Sequence, residues 1–313
     1  MEVRLRRALL ILGLLLLSFA ATEPGTAWAA EKPKVIATFS ILADLAQRVA
    51  GDHATVTALV GPDGDAHVFE PGPRESGALA EADVLVANGL GFEPWLERLT
   101  EASGFKGTLI VATDGVTPLP ASHEGEDGAA EAGNDHDHGA FDPHAFQDLA
   151  NGQIYVANVA KGLSAADPAH AADFQANAQR LAADMAALDA SLKTEVASIP
   201  AEHRRVLTSH DAFAYFSRAY GIEFVSIHGV STEAEPSAQD LARIVEQARD
   251  GKIKAIFLEN MADPRLAETV AGESGIRIGG QLYADALSPE NGPAPDYLSL
   301  FRYNAKQLLE ALR

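Results

Sequence analysis

The stretch 167–200, DPAHAADFQANAQRLAADMAALDASLKTEVASIP, decides how this chain is organised. Asp167 followed by Pro168 is a helix-start signal: the carboxylate can cap free N–H groups, and proline fits the first helical turn. Phe174, Ala178, Leu181, Met185, Leu188, Leu192 and Val196 then recur at steps of three and four, which is one continuous apolar stripe. Ile199-Pro200 ends it, because the residue before proline is driven out of helical geometry. The spacing predicts one helix over 167–199, about 45 Å long at about 1.5 Å per residue. A flexible linker would carry Gly, Ser or scattered Pro instead. A helix of that length can run the whole height of a two-lobed molecule.

Working outward, both flanks read alike. Before the helix, KVIATFS, TVTALV, DVLVANG and TLIVAT are short runs rich in Val, Ile and Thr, separated by the helix-spaced ILADLAQRVAG, PRESGALAEA and EPWLERLTEAS. After it come RVLTSHD, EFVSIHG, AIFLEN and IRIGGQLYAD, again with helices between. Alternation of this kind predicts an α/β protein of two lobes, each a mainly parallel sheet flanked by helices, joined by the long rigid helix. The boundaries expected are a signal peptide at 1–29, a first lobe at 30–166, the linking helix at 167–199 and a second lobe at 200–313.

The signal peptide reads from MEVRLRR, the apolar run ALLILGLLLLSFA, and AWA at 27–29 as a small-x-small cleavage site. The run is short for a membrane span, which needs roughly 20 residues. The 313 residues include no cysteine, so neither a lipid anchor on cysteine nor a disulfide is available. A soluble periplasmic protein fits these features. A net charge of −20 repels nucleic acid and gathers cations, though solubility alone would also explain it.

One stretch is of low complexity. ASHEGEDGAAEAGNDHDHGA is acidic and lacks large aliphatic residues, so it cannot offset its ordering entropy by burial. It reads as a mobile loop over 121–139. His123, His136 and His138, with neighbouring carboxylates, are candidates for a weak accessory metal site; an incidental solvated loop is the plainer reading.

Other histidines stand at strand or loop ends. His67 follows TVTALV and the turn GPDGDA, His144 lies in DPHAF, and His210 closes RVLTSH; Asp285 follows GGQLY. An open parallel sheet places ligands beyond its carboxyl ends, and a cleft between lobes would draw on both halves. Position alone leaves capping and surface roles open. His228 in SIHGV also ends a strand and is ambiguous. His53, His170 and His203 lie in polar surroundings.

The blocks GDAHVFEPGP, DPHAFQD, TSHDAFAYFSRAYGI, STEAEPSAQDL, IFLENMADPRLAETVA and LYADAL occur in that order. With them the chain resembles the metal-binding (cluster A-I, zinc/manganese type) periplasmic solute-binding proteins of ABC importers, most of all the zinc-binding AztC/ZnuA-like members. The resemblance spans the mature chain. It implies two α/β lobes on one long helix, a transition metal at their interface, and His67, His144, His210 and Asp285 as its ligands. Ala66 stands where many members have proline, and Phe146 where tryptophan is frequent; neither change removes a ligand atom.

In the family the third ligand position tends to be Glu in manganese importers and His in many zinc ones, so His210 implies zinc as the transported ion. Three neutral imidazoles and one carboxylate suit tetrahedral zinc, whereas manganese prefers more oxygen. Four protein ligands leave no position for a reactive water, and HExxH is absent, so a hydrolase is disfavoured. Asp142 and Glu259 are candidate acceptors for the second imidazole nitrogens. The expected partner is an inner-membrane ABC permease, with a periplasmic zinc metallochaperone as a further candidate; the protein is expected to act as a monomer. A manganese or iron binder of the same fold is the alternative, and an adhesin is a weaker one, since nothing would hold the chain at a surface.

Overall fold

The computed structural model describes residues 32–121, 140–230, 232, 237–250 and 253–313. The expected signal peptide and the histidine loop, with His123, His136 and His138, lie outside the described residues. The first half runs β1 (Lys34–Phe39), α1 (Ser40–Ala50), β2 (Thr55–Val60), α2 (Pro73–Ala80), β3 (Val84–Ala87), α3 (Leu96–Ser103) and β4 (Thr108–Val111). After α4 (Leu149–Ala166) and α5 (Ala171–Ala197) come β5 (Arg205–Thr208), α6 (Ala214–Tyr220), β6 (Glu223–Ser226) and α7 (Ala238–Asp250). β7 (Ile256–Glu259), α8 (Arg265–Ser274), β8 (Ile278–Leu282) and α9 (Tyr297–Leu312) complete the second half.

Both sheets are parallel and share one strand order, β2-β1-β3-β4 and β6-β5-β7-β8. The burial of each strand follows from its place. β1 and β3 are central and nearly continuous apolar runs, because helices cover both faces. β2 and β6 lie at edges and stay half exposed. The two parallel sheets on one long helix are the fold class read from the sequence.

α5 spans 27 residues, and all seven residues of its stripe are buried. Its first turn is tightened: Pro168–His170 form a 3-10 turn, and the Asp167 carboxylate accepts the Ala169 N–H at 3.2 Å. The main partner of α5 is α4, an 18-residue helix capped by Asp148, whose carboxylate accepts the Ala150 N–H at 2.9 Å. α4 was not anticipated; Tyr155, Val156, Val159, Ala160 and Leu163 give its buried face. α9 returns toward the first half, where the Tyr297 N–H donates to Asp44 of α1 at 3.0 Å.

One apolar core runs through both halves. A second, smaller core of Leu207, Ile244, Val245, Ile256 and Val270 is shared by β5, β7, α7 and α8 of the second half. Close helix packing needs glycine at one place in particular: a Cβ on Gly162 of α4 would lie 2.2–2.3 Å from Ile110 of β4. Gly162→Ala gains about 1 kcal/mol of helix propensity but overpacks this contact by about 1–3 kcal/mol. A lower thermal midpoint is therefore expected; a raised one would show that the contact relaxes freely.

Candidate metal centre

Each of the four singled-out side chains is carried on a segment beyond the carboxyl end of a strand. His67 lies on the loop after β2 and His144 at the end of the connection after β4; His210 comes two residues past β5 and Asp285 three past β8. Their donor atoms all fall within 4.8 Å of one another. His67 Nε2 is 3.1 Å from His144 Nε2 and 3.3 Å from Asp285 Oδ2, and His210 Nε2 is 2.9 Å from that same oxygen. His144, His210 and Asp285 are fully buried and His67 nearly so. A tetrahedron with bonds of about 2.0–2.1 Å has edges of about 3.3 Å, so these separations suit a single small cation.

The orientation of each ring is fixed from behind. Asp142 Oδ1 accepts the His144 backbone N–H at 2.9 Å and lies 2.8 Å from its Nδ1. Glu259 Oε1 accepts the N–H groups of Ser209 and His210, at 2.7 and 3.0 Å, and its other oxygen pairs with His210 Nδ1. Both carboxylates were candidates from sequence, and the structure places both there. Such partners hold Nδ1 protonated and turn the Nε2 lone pair inward. The His67 loop is fixed by its own Asx turn, Asp65 Oδ1 accepting the His67 N–H at 2.9 Å. Ala66, in the place of proline, has its carbonyl held by Trp95 Nε1 at 2.7 Å. Phe146 fills its position as part of an apolar wall, with Phe92 edge-on to His67 and His144 at 4.7 and 5.7 Å.

Supports further back escaped the sequence reading. Asn88 Nδ2 donates to the Pro143 carbonyl at 2.8 Å, fixing the residue before His144. Asn88 is held by the Tyr155 hydroxyl at 2.7 Å, and its N–H donates to the buried Glu93 carboxylate at 2.7 Å. Burial pushes the Glu93 carboxyl up, against the pull of its hydrogen bonds from Thr38 and from the N–H groups of Asn88 and Gly89. The only visible signal was a glycine-rich turn, NGLGFEPW, in which Gly89 has φ +89 and a Cβ would strike Val111 and Thr113. Contacts between the halves were equally hidden. Gln147 Nε2 donates to the Ala284 carbonyl at 2.6 Å, and the Tyr215 hydroxyl donates to the Asp142 carbonyl at 2.9 Å.

The site is short of positive charge. With Nδ1 of His144 and His210 committed to carboxylates, their Nε2 atoms are left facing Asp285, at 3.6 and 2.9 Å. Asp285 Oδ1 finds no hydrogen-bond partner among the described residues. Burial pushes the imidazole of His210 down, but the charges of Glu259 and Asp285 outweigh it and raise it well above the usual histidine range. His144 is raised in the same way, against burial, by Asp285 and Asp142. Burial would raise Asp285, yet His210 and His144 hold it well below the carboxylate range. Burial keeps His67 below the ordinary value. A buried anion that needs a cation, ringed by nitrogen donors, is a cation-binding arrangement.

Residues 35–311 match the family model described as the periplasmic component A of the zinc-uptake complex. The chain belongs to this family. Its members are substrate-binding components of metal uptake by ABC transporters. The iron-binding protein YfeA of Yersinia pestis is 36% identical over 281 residues, 90% of this chain and 86% of its own length. The manganese ABC transporter substrate-binding lipoprotein PsaA of Streptococcus pneumoniae serotype 4 is 31% identical, over 97% of this chain and 96% of its own. Among solved structures, the periplasmic zinc binding protein TroA of Treponema pallidum superposes with a TM-score of 0.79 at 27% identity, covering 90% of this chain and 99% of that one.

The raised histidines set a pH dependence. Their contribution to the stability of the metal-free protein is complete below the unfolded value of about 6.5 and is lost as pH rises through the raised folded values. Asp285, being depressed, contributes above about 3.9 and loses this as pH falls through its folded value. A metal needs His210 and His144 without their Nε2 protons. Loading at neutral pH should therefore release protons, and affinity should fall steadily toward pH 5.5. Calorimetry in buffers of different ionisation enthalpy would read the release; a heat independent of buffer would contradict it.

Proposed function

We propose that this chain binds zinc through His67, His144, His210 and Asp285 and delivers it to the inner-membrane permease of an ABC transporter. The observation that carries the reading is the donor set: three imidazole nitrogens and one carboxylate converging within 4.8 Å of one another in a buried site. Manganese and iron(II) sites favour more oxygen and more coordination positions. His210, with its nitrogen facing inward, supplies at the third position a donor that suits zinc. Four protein ligands and no position for a reactive water support binding rather than hydrolysis.

A second reading has its own support, since relatives in the same family are named for manganese and iron. Metal analysis of protein isolated from its native compartment separates the two. One equivalent of zinc, retained against excess manganese, is expected; one equivalent of manganese or iron in the presence of zinc would overturn the zinc assignment. Bound at 1,000 times its dissociation constant, zinc adds about 4 kcal/mol, which for a chain of this size raises the melting temperature by on the order of 10 °C. His144→Ala should abolish most of that rise, and a variant that keeps it would remove His144 from the ligand set.

The lobe reading gives delivery a route. The site takes two ligands from each half, so a small shift at the interface removes donors without bending α5. The export signal supports a periplasmic location, and the absence of cysteine supports a soluble form where some relatives are named as lipoproteins. Among the described residues no helix is long and apolar enough to cross a membrane. His123, His136 and His138 act in this reading as a weak accessory site that raises local zinc concentration. Deleting residues 121–139 should remove only a weak second phase of zinc binding; loss of the tight phase would show that loop and main site are one.

A further inference from the structure

Gln147 is buried on the 3-10 turn Ala145–Gln147 that follows His144. Its backbone N–H donates to the His144 carbonyl at 2.9 Å, so its side chain starts from the same turn as that imidazole. Reaching into the second half, Nε2 donates to the Ala284 carbonyl at 2.6 Å, one residue before Asp285. The receiving end is itself held. The Ala284 N–H donates to Asn260 Oδ1 at 3.3 Å, and Asn304 binds both backbone groups of Tyr283, at 2.9 and 2.8 Å. One side chain therefore links the segments that carry two of the four proposed ligands.

Stability does not account for this residue. One hydrogen bond is gained, but freezing a long side chain opposes it, and the amide oxygen Oε1 is buried with no partner among the described residues. An apolar side chain of similar volume would fill the place without stranding that oxygen. What the amide adds is a fixed distance. His144 Nε2 and Asp285 Oδ1 stand 3.6 Å apart, while Asp285 Oδ2 is 2.9 Å from His210 Nε2 and 3.3 Å from His67 Nε2. A small ion that takes four donors fits among atoms so spaced. An ion that prefers more oxygen and more coordination positions needs both oxygens of Asp285 and room beside them, and the donors must spread to supply it.

We propose that Gln147 determines specificity as a brace: by holding the turn of His144 against the residue before Asp285, it keeps the site too narrow for manganese and so favours zinc. The proposal rests on the reading of His67, His144, His210 and Asp285 as the metal site. Gln147 is a positioning residue, not a ligand, and acts through the two segments it joins. A stiff frame sets the cost of spreading the donors, and that cost falls on the ion that needs them spread. Zinc is served by the frame as it stands.

The readout is the ratio of two affinities. Mature wild-type protein and Gln147→Met are stripped of metal, and the dissociation constants of zinc and of manganese are each measured by competition with a chromophoric chelator. Gln147→Met keeps the volume and exchanges one stranded oxygen, Gln147 Oε1, for another, the Ala284 carbonyl. The Tyr297 hydroxyl still donates to the Phe146 carbonyl and keeps the turn in place. The melting temperature of the metal-free variant should therefore stay near that of the wild type. Its preference for zinc over manganese should fall by about 10- to 100-fold, the usual effect of changing a group behind a metal ligand. Gln147→Leu should do the same, and takes over the test if Gln147→Met does not fold. An unchanged ratio would overturn the brace. So would equal weakening of both ions with a lower melting temperature, the mark of a bond that only holds the halves together. The zinc reading is judged on the wild type alone: manganese bound there as tightly as zinc refutes it, whereas a zinc-preferring wild type beside a variant of equal preference refutes only the brace.

Discussion

A fully buried carboxylate, with one oxygen unpartnered among the described residues, has to be met by positive charge. That constraint at Asp285 organises the centre of the molecule. Three imidazoles turn their Nε2 atoms toward it, and two of them are held by carboxylates of their own, Asp142 and Glu259. The outer carboxylates give the rings their tautomer; the inner one gives them a reason to gather. A metal ion among these donors would take over the positive charge that protons on His144 and His210 otherwise supply.

The scaffold answers the same constraint. Strand ends of parallel sheets are where side chains can converge from loops while the backbone stays satisfied in the ladder. Two sheets of identical strand order each supply two donors. Buried polar supports then take up what the loops leave open: Asn88 for the Pro143 carbonyl, Trp95 for Ala66, Asn304 for both backbone groups of Tyr283. Every one of these bonds fixes a residue within two positions of a proposed ligand.

Much of this was legible in the sequence, for physical reasons. Apolar stripes and Val/Ile runs are local patterns, so eight strands and α5 with its seven buried stripe residues could be read directly. His67, His144, His210 and Asp285 were singled out by strand-end position and by family resemblance, and the fold brings them together. α4 is less legible, because Gly152 and Gly162 interrupt it and Asn151 and Gly152 stand among its buried positions, which breaks the apolar stripe. Gln147 and Tyr215 were illegible in principle. Each makes its bond across more than 70 positions of chain, and nothing near either residue marks the partner.

The bond from Gln147 to the Ala284 carbonyl has a mechanical consequence. It ties the turn carrying His144 to the strand end carrying Asp285, although the two come from opposite sheets. His210 joins the same line of bonds from the other end: Glu259 holds its ring, and β7, which carries Glu259, pairs with β8 with Glu259 opposite Leu282. The turn of the first half that carries His144 is thus moored to the second half at Gln147, and a displacement of one half against the other would load that amide bond before it loads the long helix.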